Sequence, residues 1–572
     1  MRFQSLAARA AGAVSLSVLA AMLAFYVDRL FLPQPIYASD VVAYLITALY
    51  SVGAAAHDPT TQDVANSVFL MGLRALHRLS SEDLVWARVL SLAAYLGGLA
   101  AVWRVSVREV AGRGERVAFL ILALAFPYYR FVVEILPEGA YVAALAAIGV
   151  ASARLWRSRP LVHAALAGGM IAVLALIKPH GVAVLAALAA VIALDALASR
   201  RWARGALRLA ALGATFLAVG NLIQFAAGQP VSNPLTFFVG GYYGRALAAA
   251  PPPSAVGLGL ITFLAMTSAL LLFAGPACAV AMAQIAGRWR AERRDFRLAG
   301  QDALVLLLAL SALATVAMAS VYAFKVAADP GEDRRLWGRY FEFFAPLIWL
   351  AAAPYLARWR QDAAGRRMGL ACAGLMLAGL AGLLIGFHTG IVLFPWDATA
   401  LTAFFHPDPV RAPLGVRLPY RALAVAASLA AAAAFAWRAP PWRIACGYFL
   451  ALAALSTWLD HVWEGPMAEK RREFDTEIQV AAGLTPDDPS RNAALVTDGN
   501  DAHLSFLGLR GFVQIIPVAP GQPMAEGALA YDNVVVVKPA APPEGWDCPY
   551  KGKQLRVCVR PPDSVGVRAA GA

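Results

Sequence analysis

About thirteen apolar stretches long enough to cross a bilayer run through this 572-residue chain, and a polar tail follows the last of them. A single soluble core has no place for so many. In lipid, a helix satisfies its own backbone hydrogen bonds, so this pattern reads as a polytopic all-α membrane domain. Spans are expected at 10–27, 84–103, 117–135, 138–153, 161–177, 181–198, 207–227, 255–287, 302–324, 339–357, 368–394, 421–437 and 442–459. The membrane domain then occupies 1–460, with an external loop over 28–83, and a small α/β domain occupies 461–572.

Charged residues make up only 15% of the chain, against about 25% in soluble proteins. The net charge is nevertheless +13. The arginines responsible are not gathered in one patch, which argues against nucleic acid as a partner. They occupy alternate short connections instead, such as Arg104–Arg116, Arg154–Arg159, Arg200–Arg208, Arg288–Arg297 and Arg358–Arg367. The positive-inside rule makes that face cytoplasmic. With Arg2 and Arg9 on the same side and an odd span count, the N-terminus is cytoplasmic and the tail extracytoplasmic, in a multi-pass protein of the inner (plasma) membrane. The long connections, about 28–83, 228–254, 325–338 and 395–420, fall on the outer face, so function is expected there.

In the tail, Ala493–Thr497, Val513–Val518, Asn533–Val537 and Gln554–Val559 are rich in branched residues and read as strands. Cys548 and Cys558 share this domain and an oxidising compartment, so a disulfide across a hairpin at Pro549–Gln554 is expected. Cys278, Cys372 and Cys446 lie in or near spans as small apolar residues. Asp498 and Asp501 fit a turn, and a metal loop is the alternative. No ligand cluster has metal-site spacing, so a divalent metal stays open as a cofactor.

Polar groups near hydrocarbon are costly and mark function. Asp40, just past the first span, either caps the helix expected at Val41–Val52 or accepts a proton from a hydroxyl nucleophile; the two roles are compatible. Asp58 and Asp63 follow in the same loop, before an amphipathic helix at Val64–Leu79. Arg130 and Glu134 are spaced either to form an ion pair or to meet a substrate, whereas Glu138 has no partner nearby in sequence. Lys178, Arg245, Lys325, Arg334, Arg335 and Arg339 are cations on the outer side, against the prevailing charge bias. They suit an anionic phosphate at the membrane surface, or lipid headgroups.

In order and spacing these positions resemble the GT-C class of integral membrane glycosyltransferases, in the branch of aminoarabinose transferases and protein O-mannosyltransferases. Asp40 to Tyr44 resembles its Asp-Glu-x-x-Tyr motif, with Val41 in place of the second acid. Arg88-Val89-Leu90-Ser91, Leu136-Pro137-Glu138, Leu176-Ile177-Lys178-Pro179 and Arg339-Tyr340 with Pro346 resemble four further motifs, over residues 10–360. A Lys-Pro-Pro segment often found in the first loop of aminoarabinose transferases is absent; His57–Gln62 stands there. The resemblance implies inverting transfer of a sugar from a polyprenyl-phosphate-linked donor to a hydroxyl on a glycan, lipid or protein acceptor, among membrane lipids and without nucleic acid. Asp40 would be the general base. Lys178, Arg339 and Arg334 or Arg335 would hold the leaving phosphate, and Glu138 would contact sugar or acceptor, beside Tyr44, Asp58 and Asp63. A transporter or flippase of a lipid-linked sugar, and a membrane scaffold, are the competing readings.

Overall fold

The computed structural model describes residues 2–31, 67–80, 83–226, 255–293, 296–325, 334–359, 362–393, 397–405, 410–411, 417–437, 440–484, 493–497, 514–517, 533–537, 542, 544–553 and 555–560. Asp40, Tyr44, Asp58, Asp63, Arg245 and the turn at Asp498–Asp501 lie outside these residues, as does the helix expected at Val41–Val52. The chain forms two compact units, one of Met1–Leu32, Asp63–Phe69 and Leu84–Val462 and the other of Pro33–Gln62, Leu70–Asp83 and Trp463–Ala572.

Among its described residues the first unit is helical apart from a two-residue antiparallel ladder, β1 (Val410–Arg411) with β2 (Arg417–Leu418), and a parallel bridge between Arg335 and Val392. Among the described residues, nine helices are long and apolar enough to cross a membrane. The helices used below are α1 (Arg2–Phe31), α2 (Ser67–Leu79), α3 (Asp83–Ser106), α4 (Arg113–Ala125), α5 (Tyr129–Val132) and α6 (Glu138–Leu155). They continue with α7 (Pro160–Ile177), α8 (Gly181–Ser199), α9 (Trp202–Ala226), α10 (Ala255–Glu292) and α11 (Gly300–Lys325). The last six are α12 (Phe344–Ala351), α13 (Ala353–Ala357), α14 (Ala363–His388), α15 (Thr402–Phe405), α16 (Tyr420–Ala436) and α17 (Pro441–Leu484).

Packing between apolar helices in lipid depends on close approach, and α10 against α14 follows that rule. A Cβ added at Gly379 would lie 2.6 Å from the Ser268 carbonyl oxygen, and one at Gly382 would meet the Ser268 side chain. Leucines on the opposite faces, among them Leu166, Leu194, Leu222 and Leu264, are exposed, as lipid-facing side chains are.

Two expected spans are broken. The segment expected to run through 117–135 is helical only to Ala125. Phe126 precedes Pro127, and proline pushes the residue before it out of the helical region; Phe126 has ψ 123°. The segment expected at 339–357 becomes α12 and α13, eight and five residues long, with Pro354 in the first turn of the second. The last expected span, 442–459, lengthens into the 44-residue helix α17.

In the second unit, β3 (Ala493–Thr497), β4 (Gln514–Pro517), β5 (Asn533–Val537), β6 (Asp547–Lys551) and β7 (Leu555–Val559) form one sheet in the order β4-β3-β5-β7-β6. β3 pairs in parallel with β4 and β5; β7 pairs antiparallel with β5 and β6. Val534, Val535, Val536, Leu555 and Val557 are buried. Cys548 and Cys558 are joined by a disulfide between β6 and β7. Glu477 of α17 accepts hydrogen bonds from the Lys553 and Leu555 amides at 2.7 and 3.0 Å, tying the hairpin turn to the helix.

Candidate functional site

Four helix breaks in the first unit set its polar groups at one end of the bundle. At the first, Lys178 closes α7 with extended backbone angles (φ −156°, ψ 132°), because Pro179 follows it. The chain re-enters a helix at Gly181, where a Cβ would lie 2.5 Å from the Ala175 nitrogen. This tight reversal turns Lys178 and His180 inward, and both are buried. At the second break, Pro137 ends the irregular stretch after α5 and Glu138 begins α6. The Lys178 Nζ–Glu138 Oε1 distance is 2.5 Å. The charges that lacked sequence-local partners are thus each other's partners, forty residues apart. Glu138 Oε2 is buried and has no hydrogen-bond partner among the described residues.

The third break carries Arg334 to Tyr340. Gly338 allows the chain to lie against 397–398; a Cβ there would sit 2.4 Å from that of Ala398. Arg335 and Arg334 diverge. Arg335 is buried with its guanidinium 2.7 Å from Asp397 Oδ1, whereas the Arg334 side chain is exposed. The Arg339 amide donates to the Asp397 carbonyl, and the Tyr128 hydroxyl donates to the Arg339 carbonyl at 2.8 Å. Glu342 accepts from the amides of Thr399 and Leu401 at 2.9 and 3.1 Å, which holds the 397–401 segment in place.

Aromatic rings line these charges. Trp337 and Tyr340 stack with centroids 5.3 Å apart and planes 2° apart. Lys178 Nζ lies 4.3 Å from the Tyr340 ring centre, and the His180 ring lies 4.3 Å from it. Arg339 Nη2 donates to the Tyr340 hydroxyl at 3.2 Å. Burial first, then the cations Lys178 and Arg339, push the His180 pKa well below its ordinary range, so the ring is neutral near pH 7.

At the fourth break, next to α17, the Arg130–Glu134 ion pair expected from sequence is replaced. Arg130 pairs with Asp460, whose other carboxylate oxygen accepts from the Tyr129 hydroxyl. The short helix α5 turns Arg130 away from the line of α4, so the four-residue spacing to Glu134 no longer places them on one helix face. Glu134 lies within electrostatic reach of Arg130, Glu138, Arg339 and Arg88. Arg88 donates to the Val133 and Arg29 carbonyls at 2.6 and 2.9 Å.

Beside the cluster is an apolar groove between α1, the end of α4 and α17, bordered by Phe25, Arg29, Tyr129 and Trp458, with about 1,420 Å³ of space, part of it open to solvent. Among the described residues, no group of three or more His, Cys, Asp or Glu side chains is placed to hold a metal ion.

The sequence thus named Glu138, Lys178, Arg335 and Arg339, and the fold brings all four into this cluster. It did not single out Asp397, Asp460, Glu342 or Trp337, and Tyr340 entered only as part of the Arg339-Tyr340 motif. A lone acid at the end of an apolar span, as in Trp458-Leu459-Asp460, was the available signal for one of them.

No family model and no curated protein sequence matches the chain. Among solved structures, it is similar to ArnT from Cupriavidus metallidurans in the apo state, at 14% identity and a TM-score of 0.47, over 96% of this chain and 98% of that one. It is also similar to the Archaeoglobus fulgidus oligosaccharyltransferase in the apo form, at 14% identity and a TM-score of 0.38, over 91% and 69% of the two chains. A third match is the AglB oligosaccharyltransferase of the same organism in complex with an inhibitory peptide and a dolichol-phosphate, at 12% identity and a TM-score of 0.30, over 91% and 69%.

Proposed function

We propose that the chain is a membrane glycosyltransferase that moves a sugar from a polyprenyl-phosphate-linked donor to an acceptor hydroxyl, with inversion, on the outer face of the inner membrane. The observation that carries this reading is the meeting of Lys178, Glu138, His180 and Arg339 with the stacked Trp337 and Tyr340 in one buried layer. Cations suit a phosphate, and flat rings suit the face of a sugar. The adjoining groove is apolar, as a prenyl chain requires.

In this mechanism the Asp40 carboxylate accepts the proton of the acceptor hydroxyl. The hydroxyl oxygen attacks the anomeric carbon, and the bond from that carbon to the phosphate oxygen breaks with its electron pair. Polyprenyl phosphate leaves, and Lys178 and Arg339 offset the charge that develops on it. Glu138 fixes the Lys178 ammonium and faces the sugar. Arg335 braces the 397–401 segment through Asp397, and Arg334 stands at the exposed margin. Tyr44, Asp58 and Asp63 contribute to the acceptor side. The arginine-rich loops face the cytoplasm, and the C-terminal α/β domain faces outward.

The test uses purified protein in nanodiscs with a radiolabelled polyprenyl-phosphate sugar and a hydroxyl-bearing envelope fraction. Label transferred to the acceptor, with polyprenyl phosphate released, supports the reading. Donor that crosses the bilayer uncleaved would identify a flippase instead.

A further inference from the structure

At the opposite end of the bundle, the connections flanking α7, α8 and α9 enclose a second polar cavity. A span such as α7 has 18 residues, which separates the two ends by roughly 27 Å. The cavity holds about 630 Å³, part of it open to solvent. Five arginines line it (Arg157, Arg201, Arg204, Arg208 and Arg297), against the single acid Asp195.

The geometry points to a binding site for a phosphate group, carried either by an anionic phospholipid or by a soluble phosphate compound. Positive-inside charge alone calls for exposed arginines in solvated loops. Arg208 departs from that pattern, since it is only 4% exposed. Its guanidinium lies 3.9 Å over the Trp156 ring, and Nη1 is 3.1 Å from Asp195 Oδ2. Asp195 is used up locally, because Oδ1 accepts from the Leu298 amide at 3.2 Å. Arg208 Nε and Nη2 and the indole Nε1 of the buried Trp156 have no acceptor among the described residues. All three groups are donors that carry no lone pair, so the missing ligand is an acceptor, and the surplus of cations makes it an anion.

The local fold assembles these donors deliberately close. Arg200 caps α8 in the left-handed conformation (φ 54°), and the chain reverses at once into α9. Arg201 directly precedes α9, and Arg204 and Arg208 follow four apart on one face of that helix. Arg157 holds the far wall by donating to the Leu298 carbonyl at 3.0 Å. The cavity mouth lies where spans give way to loops, the level of lipid headgroups.

The experiment compares delipidated full-length protein with Arg208→Gln and, because that arginine is buried, with the exposed-side double variant Arg201→Gln/Arg204→Gln. Native mass spectrometry with phosphatidylglycerol, against diacylglycerol as the neutral control, reads the lipid arm. Thermal shift with glycerol 3-phosphate reads the soluble arm. Loss of two surface-level charges should lower occupancy by about tenfold or more. A loss confined to phosphatidylglycerol assigns the site to lipid, and a loss confined to glycerol 3-phosphate assigns it to a soluble phosphate. Occupancies unchanged from wild type for both probes in a folded double variant would overturn the proposal.

Discussion

Lys178 and Glu138 form a buried ion pair, with Nζ 2.5 Å from Oε1 and each side chain less than a tenth exposed. Each residue sits at a proline-enforced helix break, so neither backbone can shift easily to relieve a lost partner. Removing one member leaves a buried charge, which typically costs about 3–5 kcal/mol, whereas replacing both with apolar residues is often tolerated. Lys178→Met should therefore melt well below wild type in detergent. Lys178→Met/Glu138→Leu should regain most of that stability and still fail to bind polyprenyl phosphate. Wild-type donor affinity in the double variant would remove Lys178 from the phosphate site.

Asp40 is expected to act in transfer rather than assembly. Asp40→Asn keeps the size and much of the capping ability of the side chain but little of its basicity. General-base assistance is worth about 10²–10⁴-fold, so turnover should fall by that range with donor binding intact. Transfer at the wild-type rate would reduce Asp40 to a helix cap and move the search for the base to Asp58, Asp63 or Glu138.

Arg339 has its backbone fixed on both sides, by the Asp397 carbonyl and the Tyr128 hydroxyl, so its side chain is open to substitution without loss of the turn. Arg339→Ala should weaken polyprenyl-phosphate binding by about tenfold or more, the scale of a lost charge-assisted hydrogen bond. Its melting temperature should change little. Microscale thermophoresis with the lipid phosphate measures the first quantity, and unchanged affinity would exclude the assignment.

His180 gives a pH signature. Its folded pKa lies below the usual value of about 6.5, so the unfolded chain binds more protons in the window beneath 6.5. Stability therefore rises with pH through that window and is fully present above 6.5; it is lost progressively as pH falls. The slope from one such group is at most about 1.4 kcal/mol per pH unit. Melting curves from pH 7.5 to 5.5 should show a shallower acid decline in His180→Gln than in wild type. Equal slopes would mean that His180 is charged in the folded protein.

The tail is expected outside the cytoplasm. Alkaline phosphatase fused after residue 572 should be active, and a green fluorescent reporter there should be dark. A non-reduced digest should yield the Cys548–Cys558 peptide pair. Fluorescence with silent phosphatase would invert the orientation.

Some of this protein is written locally. The membrane-spanning helices follow from runs of apolar residues, because a chain in lipid has few other ways to satisfy its backbone. The strands Ala493–Thr497 and Asn533–Val537 fall where their branched residues lie. Proline steps before Glu138 and after Lys178 announce helix breaks, and a charge at a break in an apolar chain is conspicuous. What the sequence leaves undetermined is who meets whom. Arg130 has a well-spaced acid at Glu134 yet pairs with Asp460, and Arg335 finds Asp397 across a long connection. Such partners are chosen by how helices pack, through close contacts such as those at Gly338 and Gly379. Pairing over hundreds of residues depends on three-dimensional position, to which local spacing is blind. Only the tertiary structure, by burying these charges together, decided that they meet in one cluster.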